Sequence, residues 1–270
     1  MNEQDIHKTV REGYAAIAQQ PAKSGGCCGA SSSKALATSV GYSAAELALI
    51  PEEANLGLSC GNPTAIAALQ PGEVVVDLGS GAGMDAFLAA AQVGETGRVI
   101  GVDMTPEMLQ RARKTAASRD VAHFVEFREG MIEELPVVSS SVDCVLSNCV
   151  VNLSPDKGRV FREAFRVLKP GGRLAVSDLC LEHALPANVL AMAEAYVGCI
   201  SGAALATDYL AAIEQAGFVD VKWTRASADS VVGAGCCDTN VEAAIASLDA
   251  SDLEAVQGAI WSYKIEARKP

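Results

Sequence analysis

The sequence lacks a long apolar run, an excess of positive charge and an abundance of histidine. No apolar run reaches the roughly 20 residues of a membrane-spanning helix, and the polar start "MNEQDIHKTV" has no signal-peptide pattern. The 21 Lys and Arg against 33 Asp and Glu leave a net charge of -12. Nucleic acid and anionic membrane surfaces would repel such a chain. We expect a soluble, cytoplasmic protein with a small-molecule partner and neither nucleic acid nor membrane.

Cysteine is plentiful by contrast, with nine residues in 270. Disulfides seldom persist in a reducing compartment, so we expect buried small side chains, metal ligands or reactive thiols. Cys144 lies within a predicted strand and Cys180 ends another, which favours a packing role for both. Cys236 and Cys237, in "GAGCCDTN", are best interpreted as part of an exposed loop.

The chain divides into three predicted regions. Residues 1–70 carry an amphipathic helix over 2–19, the Gly-, Ser- and Ala-rich connector 21–35 and a capping box at Ser43 and Glu46. Residues 71–180 alternate short β-branched runs with helical patterns, which is typical of βαβ units on a parallel sheet. Residues 181–270 add predicted helices at 187–198, 207–216 and 240–249 and two strands that complete the sheet.

A glycine loop follows the first strand of the alternating region. In "VVVDLGSGAGMDAF", Gly79, Gly81 and Gly83 let the backbone turn tightly and approach a ligand. The third glycine of a dinucleotide fingerprint would fall at Met84, and no phosphate-loop lysine follows, so pyrophosphate binding is disfavoured. Asp103, at the end of the next strand, can accept hydrogen bonds from both ribose hydroxyls. The loop and this acid resemble the S-adenosylmethionine site of class I methyltransferases.

Six motifs together narrow the resemblance to one family. The motifs are "LGLSCGNP", "DLGSGAGMDAFLAA", "GVDMTPEML", "SNCVVNLSPDK", "LKPGGRLAVSD" and "YVGCISGA", and the match runs from Tyr14 to about Gly217. They resemble the arsenite methyltransferases. The resemblance implies an α/β class I methyltransferase fold, Rossmann-like and doubly wound, with a mostly parallel seven-stranded sheet. An N-terminal helical extension with cysteines and a C-terminal α/β appendage would flank this core.

The resemblance also implies the site residues. It assigns cofactor contacts to Tyr14, Asp77, Gly79, Ser80, Gly81, Gly83, Asp103, Met104, Met131, Ile132, Glu133 and Asn148. Trivalent arsenic, a soft and thiophilic centre, would be bound by Cys60, Cys149 and Cys199 with a cysteine of the N-terminal connector. Cys27 and Cys28 of that connector are open between a ligand or redox role and dispensability. Arsenite and methylarsenite would be the substrates.

The reaction that this site implies needs no general base. An arsenic lone pair would attack the sulfonium methyl and leave S-adenosylhomocysteine. A nearby thiol pair could return the oxidised arsenic to its trivalent state by forming a disulfide, which thioredoxin or glutathione would then reduce. His7 and His183 look superficial and are weak candidates for a general base. We expect Cys60 on a mobile loop before a helix N-terminus at Asn62 and Pro63, where it could close on arsenic already held by the other cysteines.

Two other functions fit parts of the sequence. One is a methyltransferase for a small organic acceptor such as a quinone ring, with incidental cysteines and a greasy pocket. The other is a non-catalytic thiol protein that sequesters or senses a soft metal and retains a vestigial cofactor loop. Dependence of methyl transfer on arsenite separates these functions from arsenic methylation.

Overall fold

A computed structural model describes residues 3–19, 33–185, 202–227 and 258–270. Seven strands form one sheet in the order β3-β2-β1-β4-β5-β7-β6. The strands are β1 Val74–Leu78, β2 Arg98–Asp103, β3 Val125–Glu129, β4 Val142–Asn148, β5 Leu168–Leu181, β6 Val219–Ser227 and β7 Ile260–Arg268.

The first five strands are parallel and β7 is antiparallel to both of its neighbours. The central strand β1 is a run of β-branched residues, and Val75, Val76 and Leu78 are almost fully buried, as expected for a strand covered on both faces. The carboxyl ends of β1, β2 and β4 meet at one edge of the sheet. The predicted seven-stranded, mostly parallel sheet is thereby confirmed.

Helices cover both faces of this sheet. The helices are α1 Glu3–Gln19, α2 Ser33–Ser39, α3 Ala44–Leu49, α4 Thr64–Ala67, α5 Met84–Val93, α6 Pro106–Ser118, α7 Lys157–Val167 and α8 Ala206–Gln215. Residues of α5 and α6 share one buried cluster, and those of α7 and α8 share the cluster on the other face. None of the helices that the structure describes is long and apolar enough to span a membrane.

Local signals set several of these boundaries. Ser43 and Glu46 form the predicted capping box of α3, and Pro106 occupies the first turn of α6. The segment "KPGG" is part of β5 and forms no separate turn. Gly171, at φ 78°, belongs to β5, because its N–H donates to Lys269 and continues the pairing with β7. The predicted helices at 187–198 and 240–249 lie outside the described residues.

Candidate active site

The glycine loop joins β1 to α5 at the carboxyl edge of the sheet. Gly79 and Gly83 have φ values of 61° and 95°, in the left-handed region that favours glycine. A Cβ on Gly79 would lie 2.3 Å from Val150 Cγ2, and one on Gly83 would lie 2.8 Å from Phe87 Cε2. The loop therefore requires glycine at both positions. With Ser80 and Gly81 it lines a deep cleft at this edge.

Two acids lie on the walls of the cleft. Asp103 accepts hydrogen bonds from the N–H of Gly81 (2.9 Å) and of Thr105 (2.8 Å), so it also holds the glycine loop. Asp77 is 2% exposed, and its Oδ2 has no hydrogen-bond partner among the described residues. Burial, and then the nearby Asp85 carboxylate, raise the pKa of Asp77 well above its ordinary value. The unpartnered, buried Oδ2 of Asp77 shares the cleft with the glycine loop, and it suits a polar, cationic ligand such as S-adenosylmethionine.

The remaining cofactor residues that the sequence predicted line the same cleft: Tyr14, Met104, Met131, Ile132, Glu133 and Asn148. Tyr14 and Ile17 of α1 pack against Ala82 and Met108, which places α1 over the glycine loop. Helix α1 thus forms the outer wall of the cleft.

The sequence analysis missed His7. We expected a superficial side chain, but His7 lines the cleft, and its Nε2 lies 3.0 Å from Glu133 Oε1. Ser154 donates to the same glutamate oxygen. The helical spacing of Val10, Tyr14 and Ile17 could have revealed that one face of α1 is buried, but His7 lies 126 positions from Glu133 and no local motif links them.

Two of the predicted arsenic ligands meet at the wall of the cleft. Cys60 and Cys149 form a disulfide, with Cα atoms 5.8 Å apart and a sequence separation of 89. Both side chains are buried, and Cys149, at φ 60°, lines the cleft just after β4. We expected free thiols rather than a bridge. The fold forces the pair together because each cysteine is held by contacts of its own backbone.

Cys60 does not lie on the mobile loop that the sequence predicted. It is 1% exposed, its N–H donates to Asn148 Oδ1 (3.2 Å), and its carbonyl accepts from Ser262 Oγ (2.8 Å). Glycine is required next to it, since a Cβ on Gly61 would lie 1.8 Å from Ser177 Oγ. The helix that follows, α4, has only four residues, so a helix dipole gives little support to the thiolate.

A buried hydrogen-bond network that the sequence did not reveal joins the cleft to this cysteine. Tyr42 donates to Asp85 Oδ1 (2.6 Å), and Asn148 Nδ2 lies 3.0 Å from Tyr42 Oη and 2.9 Å from Asp85 Oδ2. Burial raises the pKa of Asp85 to about 6, against the hydrogen bonds from Tyr42 and Asn148. Tyr42 and Asp85 lie 43 residues apart, and no local pattern links them.

The other cysteines divide clearly. Cys144 and Cys180 are fully buried, which confirms their predicted packing role, and burial raises the pKa of the Cys144 thiol to about 12. Within the described ranges, no group of three or more His, Cys, Asp or Glu could hold a metal ion. The remaining cysteines lie outside those ranges: Cys27, Cys28, Cys199, Cys236 and Cys237.

Comparison with known proteins identifies the family. A family model described as a methyltransferase domain matches residues 69–217. The crystal structure of an arsenic(III) S-adenosylmethionine methyltransferase from Chlamydomonas reinhardtii is 32% identical in sequence. The likeness has a TM-score of 0.63 and covers 90% of this chain and 75% of that one. The chain belongs to the arsenite methyltransferase family.

Curated arsenite methyltransferases are also similar over most of the chain. The protein from Halobacterium salinarum is 46% identical over 230 residues, which cover 81% of this chain and 59% of that protein. The protein from Aquipseudomonas alcaligenes is 37% identical over 224 residues, which cover 80% of this chain and 62% of that protein. This member of the arsenite methyltransferase family thus spans less than two thirds of the length of both relatives.

Proposed function

We propose that the chain transfers methyl groups from S-adenosylmethionine to trivalent arsenic, first to arsenite and then to methylarsenite. One observation carries this proposal: Cys60 and Cys149 meet at the wall of the cleft that the methyltransferase glycine loop lines. A pair of buried sulfurs beside a methyl-donor site is the arrangement that a soft, thiophilic acceptor needs.

On this proposal the cofactor residues bind and orient without forming covalent bonds. The bound cofactor would supply a methyl group activated by a sulfonium charge. Asp103 would accept hydrogen bonds from its ribose hydroxyls, and the orphaned Oδ2 of Asp77 would face its methionine part. The methionine part would also lie beside the backbone of the glycine loop, at Gly79, Ser80, Gly81 and Gly83. Asn148 would face the methionine amine. Met104 would lie on the ribose and adenine side, Met131, Ile132 and Glu133 would line the adenine, and Tyr14 would cover it.

The thiols would bind arsenic only in their reduced state. Two thiols from thioredoxin or glutathione would reduce the Cys60–Cys149 disulfide, and the freed pair would bind arsenic together with Cys199. Cys27 or Cys28 would exchange with one of these ligands or serve as a redox thiol. Methyl transfer would use the arsenic lone pair and so oxidise arsenic by two electrons. A thiol pair would return those electrons by closing a disulfide, and the same reductants would then open it.

The other two functions fit the site less well. A methyltransferase for a quinone-type acceptor would not need paired sulfurs at the cleft wall. A metal sensor would need neither the orphaned Asp77 oxygen nor the glycine loop that lines the cleft.

Transfer of labelled methyl groups from S-adenosylmethionine, in the presence of a thiol reductant, separates the three functions. We expect transfer only with arsenite or methylarsenite. Transfer to a quinone without arsenic would support the organic acceptor, and arsenite binding without any transfer would support the sensor.

A further inference from the structure

A continuous chain of hydrogen bonds connects the cofactor cleft to the backbone of Cys60. Asp85, in the first turn of α5, forms part of the cleft wall and is 6% exposed. It accepts from Tyr42 (2.6 Å) and from Asn148 (2.9 Å), and Asn148 accepts from the Cys60 N–H (3.2 Å). A change at Asp85 is therefore two hydrogen bonds away from an arsenic ligand, and a change at Asn148, which also lines the cleft, is one bond away.

Asn148 holds the Cys60 segment at two points. Its Oδ1 accepts from the Cys60 N–H, and its Nδ2 donates to the carbonyl of Gly61 (2.9 Å). Asn148 also directly precedes Cys149 at the end of β4, so one residue sets the positions of both sulfurs. The Asn148 amide can hold the Cys60 segment in only one orientation. Tyr42 and Asp85 lie against its Nδ2, which leaves Oδ1 to accept from Cys60.

Reduction makes this support important. The disulfide itself holds the two sulfurs together, but after reduction their separation depends on the backbone contacts alone. Ligands of a metal-like centre must be held within about 0.5 Å of their productive positions, and surrounding hydrogen bonds supply that precision. The surroundings of the Asp85 carboxylate affect this support in turn. Asp85 and Asp77 line the cleft, so a ligand that fills the cleft excludes water from both carboxylates.

We propose that Tyr42 and Asn148 are positioning residues that couple occupancy of the cofactor cleft to the placement of Cys60, so that a bound cofactor raises the affinity for arsenite. This inference rests on the proposed function. Coupling of this kind is reciprocal, so arsenite also raises the affinity for the cofactor. Couplings between two sites typically change affinity by about fivefold or more.

Calorimetric titration of the reduced full chain with arsenite tests the coupling, with S-adenosylhomocysteine as the cofactor probe because it cannot donate a methyl group. In the wild type we expect saturating S-adenosylhomocysteine to tighten arsenite binding by about fivefold or more. Tyr42→Phe removes only the hydroxyl that orients Asn148. We expect it to reduce the coupling below about twofold while the chain still binds each ligand alone, because one hydrogen bond is worth roughly a factor of five.

Tyr209→Phe is the matched control. Tyr209 is as buried as Tyr42 and donates to a buried carboxylate, Asp178 (3.0 Å), but it lies outside the chain of bonds to Cys60. It should retain the wild-type coupling. Ser262→Ala removes the bond to the Cys60 carbonyl without touching Asp85, and it should weaken arsenite binding equally with and without S-adenosylhomocysteine.

Two results would overturn the inference alone: a wild type that binds both probes independently, or a Tyr42→Phe variant that keeps the full coupling. A reduced wild type that fails to bind arsenite or S-adenosylhomocysteine at all would overturn the proposed function, and the inference with it.

Discussion

The two halves of the site are built in different ways. The cofactor half consists of short stretches that follow β1, β2 and β3, three neighbouring parallel strands. Asp103 at the end of β2 holds both Gly81 in the stretch after β1 and Thr105 in its own. The thiol half joins Cys60 and Cys149 across 89 residues and relies on Asn148 and Ser262 for its geometry. Backbone conformation thus shapes the first half, and side-chain contacts between distant segments shape the second. Single substitutions should separate the halves.

The largest effect is expected from Cys149→Ser. The hydroxyl keeps the shape but replaces a soft thiolate with a hard, protonated group, so methylation of both arsenite and methylarsenite should stop. S-adenosylhomocysteine binding should remain within about threefold of the wild type, since the loop that shapes the cofactor half is unchanged. Steady-state methylation of each substrate and calorimetry of the cofactor product measure the two halves separately.

Cys144→Ala is the control for that variant. Cys144 is buried in β4, the strand that Cys149 directly follows, but burial raises the pKa of Cys144 to about 12, so it stays an inert thiol. The control should lose stability, by about 1 kcal/mol for the small cavity, and keep both methylation steps. Methylation of methylarsenite by Cys149→Ser would contradict the assignment of Cys149.

Cys60→Ser should separate the two chemical steps. Arsenite has three exchangeable positions, whereas methylarsenite has one position occupied by carbon and can bind only two sulfurs. We predict that this variant fails to methylate arsenite but largely retains methylarsenite methylation, with Cys149 and Cys199 as the remaining pair. Separate assays with the two substrates test this. Loss of both steps would show instead that Cys60 and Cys149, which the fold brings together, are the pair used throughout.

A smaller effect, confined to the cofactor half, is expected from Asp103→Ala. The change removes a charged acceptor for the ribose and the support of the Gly81 N–H, which is worth about 1.5–3 kcal/mol, or roughly 10- to 100-fold in affinity. Calorimetry should show this loss for S-adenosylhomocysteine and unchanged arsenite binding without cofactor.

Asp143→Ala is the matched control for that loss. Asp143 bonds Lys169 and the Val74 N–H near the start of β4, away from the cleft. It should affect stability but not cofactor affinity. Equal cofactor affinity in Asp103→Ala and the wild type would refute the ribose assignment.

The smallest effect is expected at His7, where α1 meets the cleft. His7→Ala removes one contact with Glu133 and should weaken cofactor binding by about fivefold. Lys8→Ala, one residue away and largely exposed, should change nothing measurable. A difference between the two variants in hydrogen exchange of residues 3–19 would show that the contact holds α1 on the cleft. Identical behaviour would rule out that role.

The contrast between local backbone motifs and side-chain contacts of distant segments also explains how much of the fold and the site the sequence could predict. The order of strands and helices, the glycine loop and Asp103 were accessible because each depends on a local pattern of apolar, glycine or capping residues. The burial of Cys60 was not, because it depends on two distant segments: Ser177 packs against the adjacent Gly61, and Ser262 bonds the Cys60 carbonyl. Tyr42, Asp85 and His7 were missed for the same reason. The bridge between Cys60 and Cys149 was missed because the motifs that carry the two cysteines contain no information about the distance between them.

The most direct test of the account is speciation of arsenic over time with the reduced full chain, S-adenosylmethionine and a thiol reductant, by chromatography with elemental detection. We expect arsenite to be converted to methylated arsenic, with one S-adenosylhomocysteine formed for each methyl group, and conversion to stop when the reductant is omitted after the thiols have been oxidised. Arsenite that binds to the reduced chain but stays unmethylated while S-adenosylmethionine is also bound would contradict it.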